Sequence, residues 1–293
     1  MKTIKIKEFS FSKYHGLGND YIIINDLISV VPEEKKGILA KKLCERRYSV
    51  GADGLIFVSN SEKYDIKMQI FNNDGSEAEM CGNGMRCFSK YVFENNLVDK
   101  ISFKVETLRG LIIPELVIEN GKVIEVKVNM GIPILECDKI PVIPGKDPMH
   151  CINEKIQAGD KNYNFTVISM GNPHAVIFKE GDLNNQEVDK YGKIIESHER
   201  FPNKTNVEFV KVISSQEAQI KVFERGVGIT MACGTGACAS VVAGTILDKF
   251  KTNKPVTIHT DGGDLIITAT DDGVYMEGSV EKVFDAKIEN FEI

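Results

Sequence analysis

The feature that most constrains this chain is an internal repeat. Of its 293 residues, the segment QIFNNDGSEAEMC (69–81) aligns with KVFERGVGITMAC (221–233) at an offset of 152 residues. In both segments an apolar, β-rich stretch ends at a phenylalanine and leads through a Gly-containing loop to a cysteine. Gly-Asn-Gly follows the first cysteine and Gly-Thr-Gly follows the second. A period this long indicates duplication of a whole domain rather than a solenoid of short repeats.

Further matches extend the repeat toward the N-terminus. LIFV (55–58) meets VEFV (207–210) at the same offset, and Gly18-Asn19-Asp20 meets Gly171-Asn172-Pro173 one residue out of register. Because these matches keep the same order, the sequence predicts two copies of one domain. The boundary is expected near residues 125–135, which include Asn129-Met-Gly-Ile-Pro133.

Each copy reads as a series of short strands. Apolar, β-rich runs alternate with Gly, Asn, Asp and Pro, and the alternation of Ile4 and Ile6 with lysines predicts a strand at the start of the sequence. One helix is predicted after each cysteine, over residues 85–95 and 237–249. The second is apolar or small on nearly every face, which is typical of a buried helix.

One more helix is predicted from Pro32 to Arg46, because proline is favoured in the first turn and acidic residues follow it. The predicted fold class is therefore α+β. It consists of two pseudo-symmetric domains, each a curved, barrel-like, mainly antiparallel sheet around a central helix.

Composition argues against several classes of partner. With 36 Lys+Arg against 42 Asp+Glu the formal charge is −6, and no basic cluster is large enough to neutralise many phosphates, so no nucleic acid is expected. No apolar run approaches the roughly 18–20 residues that span a bilayer, so no membrane association is expected. Since the start of the sequence lacks the apolar region of a secretory signal, we expect a cytoplasmic protein.

Seven cysteines are an odd number, so a complete disulfide framework is not expected. Cys81 and Cys233 each precede a helix at a Gly-rich junction. Unpaired N–H groups at a helix N-terminus form a site for a carboxylate or phosphate, and the same dipole is expected to lower the pKa of a thiol. Buried structural roles are expected for the other five: Cys44, Cys87, Cys137, Cys151 and Cys238.

Two such junctions, facing one another across an interdomain cleft, fit the inversion of a carbon that bears a carboxylate. One thiolate would remove the α-proton while the other thiol delivers a proton to the opposite face. Helix-terminal N–H groups would stabilise the enolate-like charge. Both cysteines could instead be structural. Zinc binding fits poorly, because the cysteine spacings lie outside or at the edge of the usual C-x₂₋₄-C and would not converge well in a helix. Thiol redox chemistry fits poorly because the sequence has no C-x-x-C motif.

Several motifs resemble diaminopimelate epimerase, a pyridoxal-independent family, over almost the whole length. They are FSKYHGLGNDYIII (11–24), GADGLIFV (51–58), IFNNDGSEAEMCGNGMRC (70–87), GNPHAVIF (171–178), NVEFV (206–210), ERGVGITMACGTGACA (224–239) and GGDL (262–265). The family inverts one centre of LL-2,6-diaminoheptanedioate to give the meso isomer, in lysine and peptidoglycan precursor synthesis. The resemblance implies an N-terminal domain over 1–128 with a returning strand at 280–293, and a C-terminal domain over 129–279.

The resemblance also implies roles for individual residues. Cys81 and Cys233 would be the acid/base pair, and His174 and Glu224 would assist their ionisation. Gly82 with Asn83, and Gly234 with Thr235, would hold the α-carboxylate through backbone N–H groups. The remaining substrate ligands would be Asn19, Asn72, Asn172, Asn206, Glu224 and Arg225, with Arg225 pairing with the distal carboxylate. Taken alone, each of these polar residues could equally be a turn or surface residue.

The sequence departs from the family at two positions. Gly54 stands where some relatives carry a ligand-contacting Gln, and Ile229 stands where Glu is common. The segment around 137–161 matches no motif. The resemblance implies no cofactor and no metal, a small-molecule substrate and a possible homodimer. Alternatives are a cofactor-independent racemase of another amino acid such as histidine or proline, or a non-catalytic amino-acid-binding or thiol-redox protein.

Overall fold

The computed structural model describes residues 5–292, so Ile4 of the predicted first strand and Ile293 of the predicted returning strand lie outside the described residues. The chain divides into two compact units. Unit 1 is Met1–Val128 with Gly278–Ile293, and unit 2 is Asn129–Glu277. Within the described part of the chain, no helix is long and apolar enough to cross a membrane.

Unit 1 contains one sheet, one hairpin and two α-helices. Its strands are β1 (Lys5–Gly16), β2 (Asn19–Asn25), β3 (Gly54–Ser59), β4 (Ile66–Asn72), β5 (Glu77–Ala78), β6 (Val105–Thr107), β7 (Gly110–Ile112), β8 (Glu115–Glu119), β9 (Lys122–Asn129) and β19 (Glu281–Glu292). Its helices are α1 (Lys36–Leu43), which follows a 3₁₀ turn at Glu33–Lys35, and α2 (Gly82–Glu94). The strand order is β19-β1-β2-β3-β4-β6-β7, with β5 beside β4. β8 and β9 form the antiparallel hairpin.

Helices cover both faces of this sheet. Leu55 and Phe57 of β3 pack in one cluster with Leu39 of α1. Successive side chains of a strand point to opposite faces, so Ile56 faces the other way. There it lies against α2, because a Cβ placed on Gly84 would stand 3.4 Å from the Ile56 Cδ1 atom.

Unit 2 repeats this plan with its own elements. Its strands are β10 (Glu154–Ala158), β11 (Lys161–Ser169), β12 (Pro173–Phe178), β13 (Asn206–Ser214), β14 (Glu217–Glu224), β15 (Gly228–Thr230), β16 (Pro255–Thr260), β17 (Gly263–Thr270) and β18 (Gly273–Ser279). Its helices are α3 (Asn185–Glu196) and α4 (Gly234–Ile246). The strand order is β10-β11-β12-β13-β14-β16-β17-β18, with β15 beside β14.

In unit 2, α3 covers one face of the sheet and α4 the other. Val207 and Phe209 of β13 pack in one cluster with Tyr191 of α3. Glu208, between them, points to the opposite face, where α4 contacts β11, β12, β13 and β17. The side chains of α4 from Ala237 to Ala243 are buried, which accounts for the apolar sequence on all its faces.

The predicted α+β class with mainly antiparallel, curved sheets is confirmed. Parallel pairs are confined to β2–β3, β4–β6, β12–β13 and β14–β16 among the described strand pairs. In both sheets the strand order has two ends, so neither forms a closed barrel. The helices predicted after Cys81 and Cys233 are confirmed and begin three residues earlier than expected.

The helix α3 was not predicted, although the sequence carries its signals. Asn184 caps it by accepting a hydrogen bond from the Glu187 N–H at 2.8 Å. Its buried residues Val188, Tyr191 and Ile195 follow helical spacing. By contrast, the apolar run from Leu111 to Ile118 does not form one continuous strand, because Pro114 separates β7 from β8.

Candidate active site

Cys81 occupies the N-cap position of α2. Its backbone is extended, with φ −135° and ψ 126°, and the helix begins at Gly82. The side chain is half-buried and makes no capping hydrogen bond. Since the first N–H groups of a helix have no partner within it, those of the Gly82-Asn83-Gly84 turn remain available for an anion.

Two side chains of unit 1 lie beside the Cys81 sulfur. Tyr21 Oη lies 3.0 Å from Cys81 Sγ, and Asn19 Oδ1 lies 3.9 Å from it. The Asn19 oxygen also accepts hydrogen bonds from the Tyr21 hydroxyl at 2.6 Å and from Asn83 Nδ2 at 3.1 Å. The orientation of Asn19 is fixed because its Nδ2 donates to Asp53 Oδ2 at 2.8 Å. The structure thus places Asn19 beside Cys81 and joins Asn83 to Asn19.

Tyr21 and Asp53 were not predicted as site residues. Tyr21 begins the apolar run YIII (21–24), which gave no reason to expect a polar role. Burial raises the pKa of Tyr21 well above its ordinary value, and the neighbouring Cys81 raises it further. The hydroxyl therefore keeps its proton and can act as a hydrogen-bond donor beside the sulfur.

Asn72 lies at the end of β4 and has a different environment. It is exposed, and its Nδ2 donates to Ser76 Oγ at 3.0 Å. In the strand ladders Gly54 pairs with both Asn72 and Tyr21, so Asn72 is two strands away from Tyr21 in the same sheet. Among the described residues, its side chain makes no hydrogen bond to the cluster around Cys81.

Cys233 occupies the equivalent N-cap position of α4, but its sulfur is more deeply buried. The backbone is extended, with φ −123° and ψ 109°. The sulfur accepts a hydrogen bond from the Gly236 N–H at 3.4 Å and lies 3.4 Å from Thr235 Oγ1. Gly234, Thr235 and Gly236 form the first turn of α4.

The expected lowering of the thiol pKa is wrong for Cys233. Burial raises its pKa well above the ordinary value, and the carboxylates of Glu224 and Glu208 raise it further. The hydrogen bonds from Thr235 and the Gly236 N–H act in the opposite direction without reversing the shift. At neutral pH Cys233 is therefore a protonated thiol, because burial and two nearby carboxylates outweigh the helix terminus.

A buried carboxylate, imidazole and amide lie in a row in unit 2. Glu208 Oε1 is 2.7 Å from His174 Nδ1, and His174 Nε2 is 3.0 Å from Asn172 Oδ1. The side chains of Glu208 and His174 are fully buried. Glu208 was missed as a site residue, although a charged residue within the apolar run VEFV was a usable signal.

The remaining predicted ligands cluster at the start of β13 and the end of β14. Asn206 is buried and uses both ends of its amide, since Nδ2 donates to the Pro173 carbonyl at 2.9 Å and Oδ1 accepts from the Arg225 N–H at 2.9 Å. Glu224 Oε1 accepts from Thr230 Oγ1 at 2.6 Å. The Arg225 guanidinium is exposed and donates to the Asn203 carbonyl at 3.3 Å. Asn206 thus orients the backbone that carries Arg225.

The structure shows where both departures from the family pattern lie and accounts for the one at Gly54. Ile229 lies on β15 and packs, partly buried, against the core shared with α3. A Cβ placed on Gly54 would stand 2.8 Å from the Phe71 carbonyl oxygen and 3.1 Å from the Tyr21 ring. At Gly54 the backbone and the Tyr21 ring therefore leave no room for a side chain.

The five cysteines expected to be structural are all buried. Cys137 and Cys151 lie in the unit 2 core with their sulfurs 3.0 Å apart, and both belong to the segment that matched no motif. This segment contributes the strand β10 and part of the core around α3.

Comparison with known proteins agrees with the motifs. Residues 11–136 and 166–283 match the family model for diaminopimelate epimerase. A diaminopimelate epimerase of Bacillus cytotoxicus is 44% identical over 289 residues, which cover 97% of this chain and 100% of that protein. One from Moorella thermoacetica is 46% identical over 276 residues, with 94% and 97% of the two chains covered.

Solved structures share the fold at much lower identity. A Bacillus anthracis phenazine biosynthesis protein of the PhzF family has a TM-score of 0.72 and 17% identity, with 98% and 99% of the two chains covered. A hydroxyproline epimerase from Agrobacterium vitis has a TM-score of 0.72 and 12% identity, with 97% and 93% covered. At these identities the likeness establishes the fold and leaves the substrate open.

Proposed function

Because this chain belongs to the diaminopimelate epimerase family, we propose that it interconverts LL- and meso-2,6-diaminoheptanedioate with Cys81 and Cys233 as the two acid/base groups. The observation that carries the proposal is the pair of cysteines at equivalent helix N-caps, each followed by a Gly-x-Gly turn. This activity places the protein in lysine and peptidoglycan precursor synthesis.

In the proposed reaction, one thiolate removes the α-proton and the other thiol donates its proton to the opposite face of the carbon. The S–H bond of the first cysteine forms as that of the second breaks, so the substrate leaves with inverted configuration and no net change in protons. N–H groups of the first turns, at Gly82-Asn83 and Gly234-Thr235, would hold the α-carboxylate and stabilise the developing negative charge. The proposal requires no cofactor, since side chains supply both acid and base.

The surroundings of the two sulfurs support a starting assignment of roles. Cys233 is held as a thiol by burial and by Glu224 and Glu208, so it would start the reaction as the proton donor. Cys81 then acts as the base, and the roles are reversed for the opposite isomer. His174, fixed by Glu208 and Asn172, would assist proton movement at Cys233.

Arg225 and the asparagines would bind the second amino-acid group of the substrate. Arg225 is exposed, so its guanidinium is available to a distal carboxylate, and Asn206 fixes its backbone. A racemase of a monocarboxylic amino acid would need no cation at this position. The curated relatives at 43–46% identity favour the diaminopimelate reaction over this alternative.

The test compares four single variants, Cys81→Ala, Cys233→Ala, Cys87→Ala and Cys238→Ala. Stereoinversion of LL-diaminopimelate, without pyridoxal phosphate, and α-²H incorporation from D₂O are measured together. Both junction variants should lose turnover by at least about a thousand-fold, because each removes one acid/base group. The other two remove buried cysteines of α2 and α4 and should keep turnover within a few-fold. Full turnover by either junction variant would refute the two-base reaction.

The family resemblance also leads us to propose a cytoplasmic protein that assembles as a homodimer. Light scattering of the purified chain would test the second point, since a monomer would have a mass of 32.6 kDa. No nucleic acid or membrane partner is proposed.

A further inference from the structure

The internal repeat places Tyr21 and His174 at equivalent positions. Gly18-Asn19 aligns with Gly171-Asn172, so Tyr21 corresponds to His174 in the same register. The strand ladders agree, because Tyr21 pairs with Gly54 just as His174 pairs with Asn206. Gly54 and Asn206 are themselves 152 residues apart.

The two equivalent side chains make the same contact. Tyr21 Oη lies 2.6 Å from Asn19 Oδ1, and His174 Nε2 lies 3.0 Å from Asn172 Oδ1. Both side chains are buried, with 4% of Tyr21 and none of His174 exposed. A phenol and an imidazole thus occupy corresponding positions beside an asparagine in the two units.

Gly54 makes the Tyr21 position possible. A Cβ on Gly54 would stand 3.1 Å from Tyr21 Cε1 and 3.2 Å from Tyr21 Cδ1. The ring therefore fills the space of a side chain at residue 54, and its hydroxyl reaches Cys81 Sγ at 3.0 Å.

We propose that Tyr21 is a positioning residue that serves both protonation states of Cys81, an inference that rests on the proposed two-cysteine reaction. When Cys81 is a thiol, its S–H donates to Tyr21 Oη, and the Tyr21 O–H donates to Asn19 Oδ1. When Cys81 is a thiolate, the Tyr21 O–H turns to donate to the sulfur.

The neighbouring groups allow this exchange without leaving a buried atom unpaired. Asn19 Oδ1 still accepts from Asn83 Nδ2 at 3.1 Å when the phenol turns away. Asp53 keeps the Asn19 amide from flipping by accepting from its Nδ2 at 2.8 Å. Burial keeps the pKa of Tyr21 high, so the phenol does not lose its proton to the sulfur.

Tyr21→Phe tests the proposal, with Tyr14→Phe as its matched control. Tyr14 faces Tyr21 directly in the β1–β2 ladder, is fully buried, and has a hydroxyl with no hydrogen-bond partner in the described residues. Alkylation of Cys81 by iodoacetamide is followed across pH by peptide mass spectrometry, and kcat is measured across the same range.

In Tyr21→Phe the thiolate loses a donor, so it forms only at higher pH. We expect alkylation of Cys81 at neutral pH to slow about ten-fold, the size of one lost hydrogen bond to an ionised group. The acid limb of the kcat profile should move to higher pH by about one unit, with KM changed less than two-fold. Tyr14→Phe should leave both profiles in place.

Two outcomes would overturn the proposal: an unchanged Cys81 profile in Tyr21→Phe, or the same displacement in both variants. Gly54→Ala is a second variant, because it displaces the ring but keeps the hydroxyl, and it should move the Cys81 profile in the same direction. An inactive Cys81→Ala protein with a normal Tyr21→Phe profile would reject this inference alone. An active Cys81→Ala protein would reject the two-cysteine reaction itself.

Discussion

The two cysteine junctions share a backbone and differ in what faces the helix. In unit 1 the first turn of α2 lies against apolar side chains, since a Cβ on Gly84 would meet Ile70 Cδ1 at 2.9 Å and Ile56 Cδ1 at 3.4 Å. In unit 2 the equivalent Gly236 lies against Glu208, whose Oε1 would stand 2.7 Å from such a Cβ. Glu208 is the repeat partner of Ile56, at the offset of 152.

This difference shows how a duplicated fold can give two unequal thiols. The backbone places a cysteine at the same N-cap position at both junctions, whereas the strand behind the helix determines the local charge. Deeper burial raises the pKa of Cys233 most, and the carboxylates of Glu224 and of Glu208, which stands in place of an isoleucine, raise it further. A two-base enzyme needs one thiol and one thiolate at a time, so such asymmetry suits the proposed reaction.

The largest expected difference between the junctions is in stability. Gly236→Ala should lower the free energy of unfolding by about 3 kcal/mol, because the new methyl group meets a buried carboxylate held by His174. Gly84→Ala should change it by less than about 1 kcal/mol, since an Ile70 methyl group can move aside and alanine favours the helix. Urea unfolding of both variants measures this, and equal losses would show that the two glycines have equivalent surroundings.

Alkaline pH gives a second, smaller contrast. The pKa of Cys233 is raised above the ordinary value of 9.0 in the folded chain, and burial raises those of Cys44, Cys87 and Cys151 to about 12. The folded state thus holds these protons more tightly than the unfolded chain. Their stabilising contribution is complete below about pH 9 and is lost as pH rises toward the folded pKa values.

We therefore expect the free energy of unfolding to fall above about pH 9, by up to about 1.4 kcal/mol per pH unit for each such thiol. Cys233→Ser should reduce this pH dependence by the contribution of one thiol, and Cys44→Ser should do the same as a control in unit 1. Urea midpoints between pH 8 and 10.5 give the slopes. A Cys233→Ser slope identical to that of the parent protein would mean that this sulfur titrates normally.

The third contrast concerns thiol reactivity. Glu208→Gln removes a negative charge that raises the pKa of Cys233, so more thiolate should be present at a given pH. We expect Cys233 to be alkylated about ten-fold faster at pH 8, with Cys81 in the same sample as the rate standard. Glu208→Asp retains the charge and is the control. If Glu208→Gln does not accelerate alkylation, the Glu208 carboxylate does not raise the pKa of Cys233.

The sequence was a sufficient guide where one local pattern determines structure. The two Cys-Gly-x-Gly junctions and the apolar sequence after Cys233 predicted buried helices in a β-rich chain, and the structure contains both α2 and α4. The position of Glu208 beside α4 could not be predicted from a local pattern. Its role depends on which face of β13 meets α4, and alternation along a strand does not state which helix covers which face.

The pKa of Cys233 illustrates the same limit. The helix N-terminus was visible in the sequence and favoured a thiolate. Burial and two carboxylates from β13 and β14 raise the pKa instead, and these groups come together only through the fold. Tyr21 escaped prediction for a similar reason, since its contact with Cys81 joins residues 60 positions apart.

The pairing of β1 with β19 has a consequence for how the chain is made. These strands lie near opposite ends of the sequence and pair from Lys5↔Glu292 to His15↔Glu281, while unit 2 occupies the interval between them. During synthesis the ribosome therefore finishes the whole of unit 2 before β19 emerges. Unit 2 can fold on the nascent chain, whereas β1 must wait, with one edge unpaired, until β19 has left the ribosome. A strand that is translated before unit 2 is thus completed only after it.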